Sequence, residues 1–288
     1  MDLIDLHVHS NASDGSLSPA EVIDEAYRSG LRAIALTDHD TGKGLKEARD
    51  AVTILNRENH ADFELVSGTE LSAEYHGEEV HILGYFIDET CEEFQKVIQL
   101  VVSRRDERNQ KMAENFTKAG FPITMEELTA GNPDTIITRS HFARVMTEKG
   151  YVKTRQEAFQ KYLGKEHPYY VKREYLTPKE AISAIRAAGG IAVLAHPVLY
   201  HFTPEKLDLA VHDMKQAGLS GLEAIYTTYS IFEESDMKRL ARKYGLLITG
   251  GSDFHGENKP QTHIGSGYGG LKIPYELLIS LKERRNLS

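Results

Sequence analysis

His7 and His9 stand two residues apart at the end of the apolar run Leu3–His9. On a strand that spacing turns both imidazoles to one face. The pattern recurs along the chain. His39 and Asp40 close Thr37-Asp38-His39-Asp40, Glu70 closes Ser67-Gly68-Thr69-Glu70, and His81 lies in the run Val80–Phe86. His196 sits in Ala195-His196-Pro197, and Asp253 and His255 in Gly251-Ser252-Asp253-Phe254-His255. With Asp14 these form a set of imidazoles and carboxylates without a thiolate, the donor chemistry of zinc, manganese or iron(II). Packing so many titratable groups together without a cation costs desolvation and mutual repulsion, so the constellation predicts a metal cluster. His60, His76, His201 and His212 fall in polar or turn-like contexts and are expected at the surface. His167 and His263 fit either reading. No Gly-x-Ser-x-Gly elbow, Walker A loop or Gly-x-Gly-x-x-Gly fingerprint occurs, which removes the common serine-hydrolase and nucleotide-loop readings.

The elements that position these residues alternate. Leu3–His9, Arg32–Thr37, Phe63–Ser67, Val80–Phe86, Ile191–Ala195, Leu222–Tyr226 and Leu246–Thr249 read as strands. Ser18-Pro19-Ala20-Glu21 and Thr177-Pro178-Lys179-Glu180 are capping boxes with proline at the first helical position, and Gly30 and Gly189-Gly190 are the stops. Seven strands alternating with helices favour a parallel α/β barrel with the chemistry at the strand ends. An open doubly wound sheet would show the same alternation. From about Glu92 to Tyr175 the character turns helical and basic, with breaks at Gly120-Phe121-Pro122 and Gly131-Asn132-Pro133.

Charge is as uneven as the pattern. Residues 101–175 hold 14 Lys and Arg against 10 Asp and Glu, a net of +4, so the rest carries −13 of the −9 total. That balance speaks against coating long nucleic acid and points to a local anion site in the basic stretch, or to a solvated helical face. The 288 residues, 40% apolar, suffice for one large barrel or a barrel with a small companion. One cysteine, Cys91, excludes an intramolecular disulfide and cysteine-based metal clusters. With no long apolar run and no secretory leader expected, the expected compartment is the cytoplasm, away from membranes.

Asp5-Leu6-His7-Val8-His9-Ser10, Thr37-Asp38-His39-Asp40, the Glu70 segment, Ala195-His196-Pro197 and Gly251-Ser252-Asp253-Phe254-His255 resemble, in order, the motifs of the PHP (polymerase and histidinol phosphatase) superfamily. The resemblance covers the chain apart from details of the insertion. It implies a distorted (β/α)7 barrel over residues 1–91 and 176–288, with a mainly helical insertion, residues 92–175, as a substrate-recognition cap. The chain is most similar to the stand-alone bacterial branch of 3′,5′-nucleoside bisphosphate phosphatases and 5′-to-3′ exoribonucleases. Asp14, where many relatives carry histidine, and a helical insertion after the His81 strand both suit that branch.

Carried over by position, the resemblance implies that His7, His9, Glu70 and Asp253 hold one metal. Glu70, bridging, with His81 and His196 would hold a second, and Asp14, His39 and His255 a third. Two or three divalent ions (manganese, iron or zinc) would then activate water for in-line attack on a phosphate ester. Glu70, His39 and His255 would act through the metals. Asp38 and Asp40 are candidates to orient ligands or to cap a helix, and Asp40 also to touch substrate.

Thr138-Arg139-Ser140-His141 resembles the branch's phosphate-binding segment, and Arg139 offers a planar fork of donors. Arg108 and Lys172 are further candidates, as are Arg104, Arg105 and Arg173, each with an ordinary solvated role as the plainer alternative. The expected substrate is a small phosphorylated molecule, foremost a nucleoside 3′,5′-bisphosphate losing its 3′-phosphate, with no protein partner implied. The alternatives are a 5′-to-3′ exoribonuclease on short RNA ends, a histidinol-phosphate-like or sugar-phosphate phosphatase, and a PHP module serving only as scaffold. The filled ligand positions argue against the last.

Overall fold

The computed structural model describes residues 2–132 and 135–286. Seven strands form one sheet in chain order: β1 (Ile4–Val8), β2 (Ala33–Leu36), β3 (Glu64–Tyr75), β4 (Glu78–Tyr85), β5 (Ile191–Leu194), β6 (Gly221–Tyr226) and β7 (Leu247–Gly251). The last strand comes back to the first. Asp253 N donates to His7 O at 2.9 Å and His9 N to Phe254 O at 3.0 Å, which makes the sheet a nearly closed barrel. Two glycines let β7 pack this tightly, Gly251 against β1 and Gly250 against β6. A Cβ on Gly251 would stand 2.1 Å from the Cβ of His7, and one on Gly250 2.7 Å from the Ile225 carbonyl oxygen.

The barrel is not all-parallel, which corrects the sequence reading. β4 runs antiparallel to both β3 and β5, while the other neighbours in the sheet are parallel. A parallel crossover needs a dozen residues or more, and only His76 and Gly77 separate β3 from β4. Both have positive φ, 49° and 84°, the primed turn that matches the twist of a tight hairpin. The strand reading at Phe63–Ser67 also stops short. β3 continues to Tyr75, so Glu70 lies inside a strand and not after one.

Helices α1 (Pro19–Arg28), α2 (Leu45–Asn59) and, after a long interval, α7 (Pro178–Ala187), α8 (Pro204–Gln216), α9 (Ile231–Lys243) and α10 (Glu276–Asn286) accompany the strands. Both expected capping boxes form. The Ser18 hydroxyl accepts from Glu21 N, and the Glu21 carboxylate accepts from Ser18 N at 2.8 Å; Thr177 and Glu180 repeat the exchange. On β3 and β4 the alternate positions Val66, Gly68, Glu70 and His81, Leu83, Tyr85 share strand faces. Val66, Leu83 and Tyr85 pack with Ala35, Val193 and, from the C-terminal segment, Ile273, Leu278 and Leu281. The faces that carry polar site residues thus carry an apolar core further along each strand.

The chain divides into two compact units, Met1–Val97 with Leu176–Ser288, and Ile98–Tyr175. The second holds most of α3 (Glu92–Lys118), then α4 (Met125–Thr129), α5 (Arg139–Glu148) and α6 (Arg155–Ala158), followed by a π-helical turn, Phe159–Leu163. It has its own core of Met112, Phe116, Ile123, Leu128, Phe142 and Met146. Among the described residues no helix is long and apolar enough to cross a membrane.

Candidate metal centre

Nine residues far apart in sequence meet within the first unit. Four groups place their ligand atoms within 4.8 Å of one another: His9, Asp14, His39 and His255; His7, Glu70 and His196; His7, His9 and Asp253; and His39, Glu70 and His81. All nine sequence-predicted positions appear in them. Glu70, 1% exposed, is the hub. His81 Nδ1 lies 2.9 Å and His196 Nε2 3.0 Å from its Oε1, while His39 Nδ1 at 3.1 Å and the Nε2 atoms of His7 and His9 at 3.3 Å face Oε2. Asp253 Oδ1 stands 3.4 Å from His9 Nε2 and His255 Nδ1, and Asp14 Oδ1 stands 3.2 Å from His255 Nε2.

His81 reaches this cluster by a route the sequence does not show. Because β4 is antiparallel, its N-terminal half lies beside the C-terminal ends of its neighbours. His81 pairs across from Ser72, two residues beyond Glu70. Three other turns place their residues through strained backbone. Asp40, His196 and Asp253 have φ of 51°, 25° and 57°, unusual for residues with a Cβ and costing on the order of 1–3 kcal/mol each. In each case the strained residue's own N–H is tied into the site. Asp40 N donates to Glu70 O, His196 N to Glu223 Oε2 and Asp253 N to His7 O, at 3.0, 2.8 and 2.9 Å.

Around the nine runs a layer of buried acids. Glu223 on β6, fully buried, accepts from His7 Nδ1 at 3.0 Å as well as from His196 N, which leaves His7 Nε2 facing the centre. Asp5 accepts from the amides of Ser252 and Gly265 at 2.9 and 2.7 Å, tying β1 to the chain that follows β7. Burial holds its carboxyl above the ordinary value against those bonds. Asp38 accepts from Ser10 N, Ser10 Oγ and Ser13 Oγ at 2.6–2.8 Å, fixing the loop that leads to Asp14, and it caps no helix. Sequence reasoning missed Glu223 and Asp5. The available signal was a carboxylate inside each apolar strand run, Leu222–Tyr226 and Leu3–His9.

The electrostatics suit a cation. Burial by itself would raise the Glu70 carboxyl, yet the imidazoles of His39, His7 and His81 hold it well below the usual carboxylate range. Burial would lower His81 and His9, but the facing carboxylates raise them to about 10 and about 9. His39, chiefly through burial, falls to about 3. Among the described residues, His7 Nε2, both nitrogens of His9, His39 Nδ1 and His196 Nδ1 are buried without a well-formed hydrogen bond. His7 Nε2, His9 Nε2 and His39 Nδ1 face Glu70 only as ion-pair approaches of 3.1–3.3 Å. Imidazole nitrogens of His7, His9, His39, His81 and His196 converging on the shared Glu70 carboxylate fit divalent metal ions in donor type and placement.

The expected substrate contacts fare unevenly. Asp40 is fully buried, and its carboxylate accepts from Ser72 N at 2.8 Å and Ser72 Oγ at 3.1 Å, so it braces β3 and is not presented to a substrate. In the second unit Arg139 and Ser140 open α5. His141 Nδ1 accepts from Thr138 N at 2.9 Å, completing a capping box, which commits that nitrogen to the helix. Lys172 is exposed; its neighbour Arg173 is the buried cation, with Arg105 and Arg108, all 4–5% exposed. Burial and the like charges of Arg105, Arg173 and Arg139 push the Arg108 guanidinium down to about 9, and its Nε has no hydrogen-bond partner among the described residues. Arg104 pairs with exposed Glu174 at 2.8 Å. His60, His76, His201, His212 and His263 are exposed, and His167 is partly buried.

The PHP domain family profile matches residues 5–175. The chain is 35% identical to a 5′-3′ exoribonuclease of Haemophilus influenzae over 87% of its length and 89% of the relative's. It is 33% identical to a 3′,5′-nucleoside bisphosphate phosphatase of Chromobacterium violaceum over 91% and 90%. Among solved structures, an amidohydrolase from Chromobacterium violaceum with bound sulfate superposes with a TM-score of 0.83 at 33% identity, covering 91% of this chain and 89% of that one. A protein from Bifidobacterium adolescentis described as a metal-dependent phosphoesterase reaches 0.85 at 29% identity, covering 98% and 96%.

Proposed function

Since the chain belongs to the PHP domain family and is a metal-dependent phosphoesterase, we propose that it hydrolyses a phosphate monoester, foremost the 3′-phosphate of a nucleoside 3′,5′-bisphosphate. The metal assignment follows the clusters. His7, His9, Glu70 and Asp253 would hold one ion, Glu70, His81 and His196 a second, and Asp14, His39 and His255 a third, drawn from manganese, iron or zinc. Bound ions supply Lewis-acid activation of water and offset the charge that a phosphoryl group develops. The protein's part is to hold the donors still. Glu223 sets the His7 ring and the His196 backbone, Asp38 sets the Asp14 loop, and Glu70 presents both carboxylate oxygens to five imidazoles. Held as ligands, His39 and His255 would act through the ions and not as free proton carriers.

The observation that carries the substrate class is Arg108. A buried guanidinium among Arg105, Arg173 and Arg139, with its Nε unpartnered among the described residues, is costly unless an anion joins it. A phosphate that is held and not cleaved supplies that anion, with Arg139 and Ser140 beside it. A second reading, exoribonuclease action on short RNA ends, has support in the Haemophilus relative. A 5′-phosphorylated RNA end carries the same 5′-phosphate next to a 3′-phosphoester. The −13 outside the basic stretch disfavours long RNA over a mononucleotide or short end. The cytoplasm is the compartment this reading takes.

Removing one charge-assisted contact to the held phosphate costs about 2–4 kcal/mol. Arg139→Ala should therefore lose about thirty- to several-hundred-fold in kcat/KM on a nucleoside 3′,5′-bisphosphate. Turnover of p-nitrophenyl phosphate, which has no second phosphate, should hold, and so should metal content. Equal loss on both substrates, or none on either, rejects the assignment. Running a 5′-phosphorylated dinucleotide alongside separates the phosphatase from the exonuclease reading.

A further inference from the structure

Lys259 belongs to none of the motifs, yet its ammonium reaches the metal centre. Nζ lies 2.6 Å from Asp253 Oδ2, and the Tyr226 hydroxyl donates to the same oxygen at 2.6 Å. Asp253 Oδ1 faces the imidazoles of His9 and His255 at 3.4 Å. The carboxylate is thus divided, one oxygen turned to the ligand cluster and the other held by two donors.

Two features set Lys259 apart from a simple counter-charge. Its side chain is 44% exposed, whereas those of Asp253, Glu70, His7 and His9 are 9%, 1%, 0% and 0% exposed, so the ammonium stands where the buried centre meets solvent. An ammonium has three N–H donors, and Asp253 uses one. The backbone that carries it is also fixed. Lys259 N donates to Gly256 O at 3.0 Å, Asn258 Nδ2 to Asp14 O at 2.7 Å, Glu257 N to Ser16 Oγ at 2.9 Å and Ser16 N to His255 O at 3.1 Å. The turn holding Lys259 is therefore stitched to the loop holding the ligand Asp14, the kind of rigid support that a group acting at ångström precision requires.

We infer that Lys259 is a catalytic residue: anchored on Asp253 Oδ2, its ammonium donates a second hydrogen bond to a non-bridging oxygen of the phosphoryl group being hydrolysed, and to the orthophosphate released. The assignment rests on the phosphoesterase reading and adds to it a phosphate contact supplied by the first unit alone. A point charge with rotatable donors suits a phosphoryl group whose oxygens move during in-line displacement.

The experiment compares wild type, Lys259→Met and Lys259→Arg, each loaded with manganese. Metal per chain is measured by elemental analysis, orthophosphate affinity by calorimetry at saturating manganese, and kcat and KM with p-nitrophenyl phosphate. Lys259→Met should keep the wild-type metal content, bind orthophosphate roughly tenfold or more weakly, and lose about thirty-fold in kcat/KM, the scale of one charge-assisted hydrogen bond. Lys259→Arg should recover much of the phosphate affinity. Unchanged orthophosphate affinity in metal-loaded Lys259→Met overturns the inference. So does a loss in Lys259→Met that tracks lost metal and disappears at saturating manganese, because Lys259 would then only position Asp253. A wild-type protein that hydrolyses no phosphate ester would instead sink the phosphoesterase reading itself, a separate failure.

Discussion

Glu223 gives one buried carboxylate to two ligand residues, the ring of His7 and the backbone of His196. A histidine that ligates through Nε2 needs its Nδ1 proton held by an acceptor, and the orientation of the ring follows that bond. The His196 N–H is held at a strained φ of 25°, in a turn also fixed by Leu199 N on His196 O and by the Tyr200 hydroxyl on Ala195 O. Glu223→Gln keeps the volume but removes the charge, and it leaves one accepting oxygen to serve both partners, at best 3.3 Å from His7 Nδ1 where it also meets His196 N. Metal affinity should fall about 10–100-fold, the usual effect of losing a ligand's hydrogen-bonding partner. Competition with a fluorescent chelator measures this directly, and wild-type affinity in the variant would show that Glu223 only fills space. The nine candidate ligand positions were legible from imidazoles and carboxylates in or after the apolar runs and from the PHP motif resemblance, with period-two spacing accounting for His7 and His9 alone. Glu223 was not, since its partners lie 216 and 27 residues away.

Among the elements, the approach of β7 to β1 leaves the least room. The missing Cβ of Gly251 is what lets the two strands close with His7 between them. Gly251→Ala should destabilise by about 1–3 kcal/mol or more, since an inserted methyl at 2.1 Å from the His7 Cβ forces backbone movement. Gly270→Ala, where a new Cβ meets nothing within 4 Å, is the matched control and should stay within about 0.5 kcal/mol of wild type. Urea unfolding of both reads the difference, and equal midpoints would refute the closure argument. The β3–β4 reversal belongs to this scale too. His76-Gly77 is a two-residue hairpin loop, but it lacks the Asn-Gly or Asp-Gly signature that marks such loops in a sequence. Strand count and chain order were therefore readable while strand direction was not.

In the molecule as a whole, opposite charges are sorted into the two units. The second unit carries the +4 of residues 101–175, and the −13 lies outside it, together with the buried carboxylates of the metal centre. A cation that binds the folded chain and not the unfolded one would offset the cost of bringing Glu70, Asp253, Asp14 and Glu223 into one interior. Ligand at about a thousand times its dissociation constant adds roughly 4 kcal/mol. For a chain of this size that is on the order of 10 °C in Tm. Dialysis against chelator should lower Tm by about that amount and re-addition of manganese should restore it, followed by calorimetry. An unchanged Tm after complete metal removal would mean that the cluster is stable without ions and would weaken the metal assignment.

What the sequence by itself determined was local: the strand–helix alternation, the capping boxes at Ser18 and Thr177, the nine chemistry-bearing positions and the basic character of the middle stretch. Each depends on residues a few places apart, or on simple counting. Only the tertiary structure decided that β4 runs backwards and carries His81 in by its N-terminal half. It also decided that Asp40 braces Ser72, that Arg173 is buried while Lys172 is exposed, and that Lys259 and Tyr226 share an oxygen of Asp253. The physical reason is the same in each case. Burial and pairing are set by which segments pack together: Asp40 meets Ser72, 32 residues away, and Asp253 meets Tyr226, 27 residues away, while Lys259, six residues from Asp253, reaches it only because the turn between them folds back.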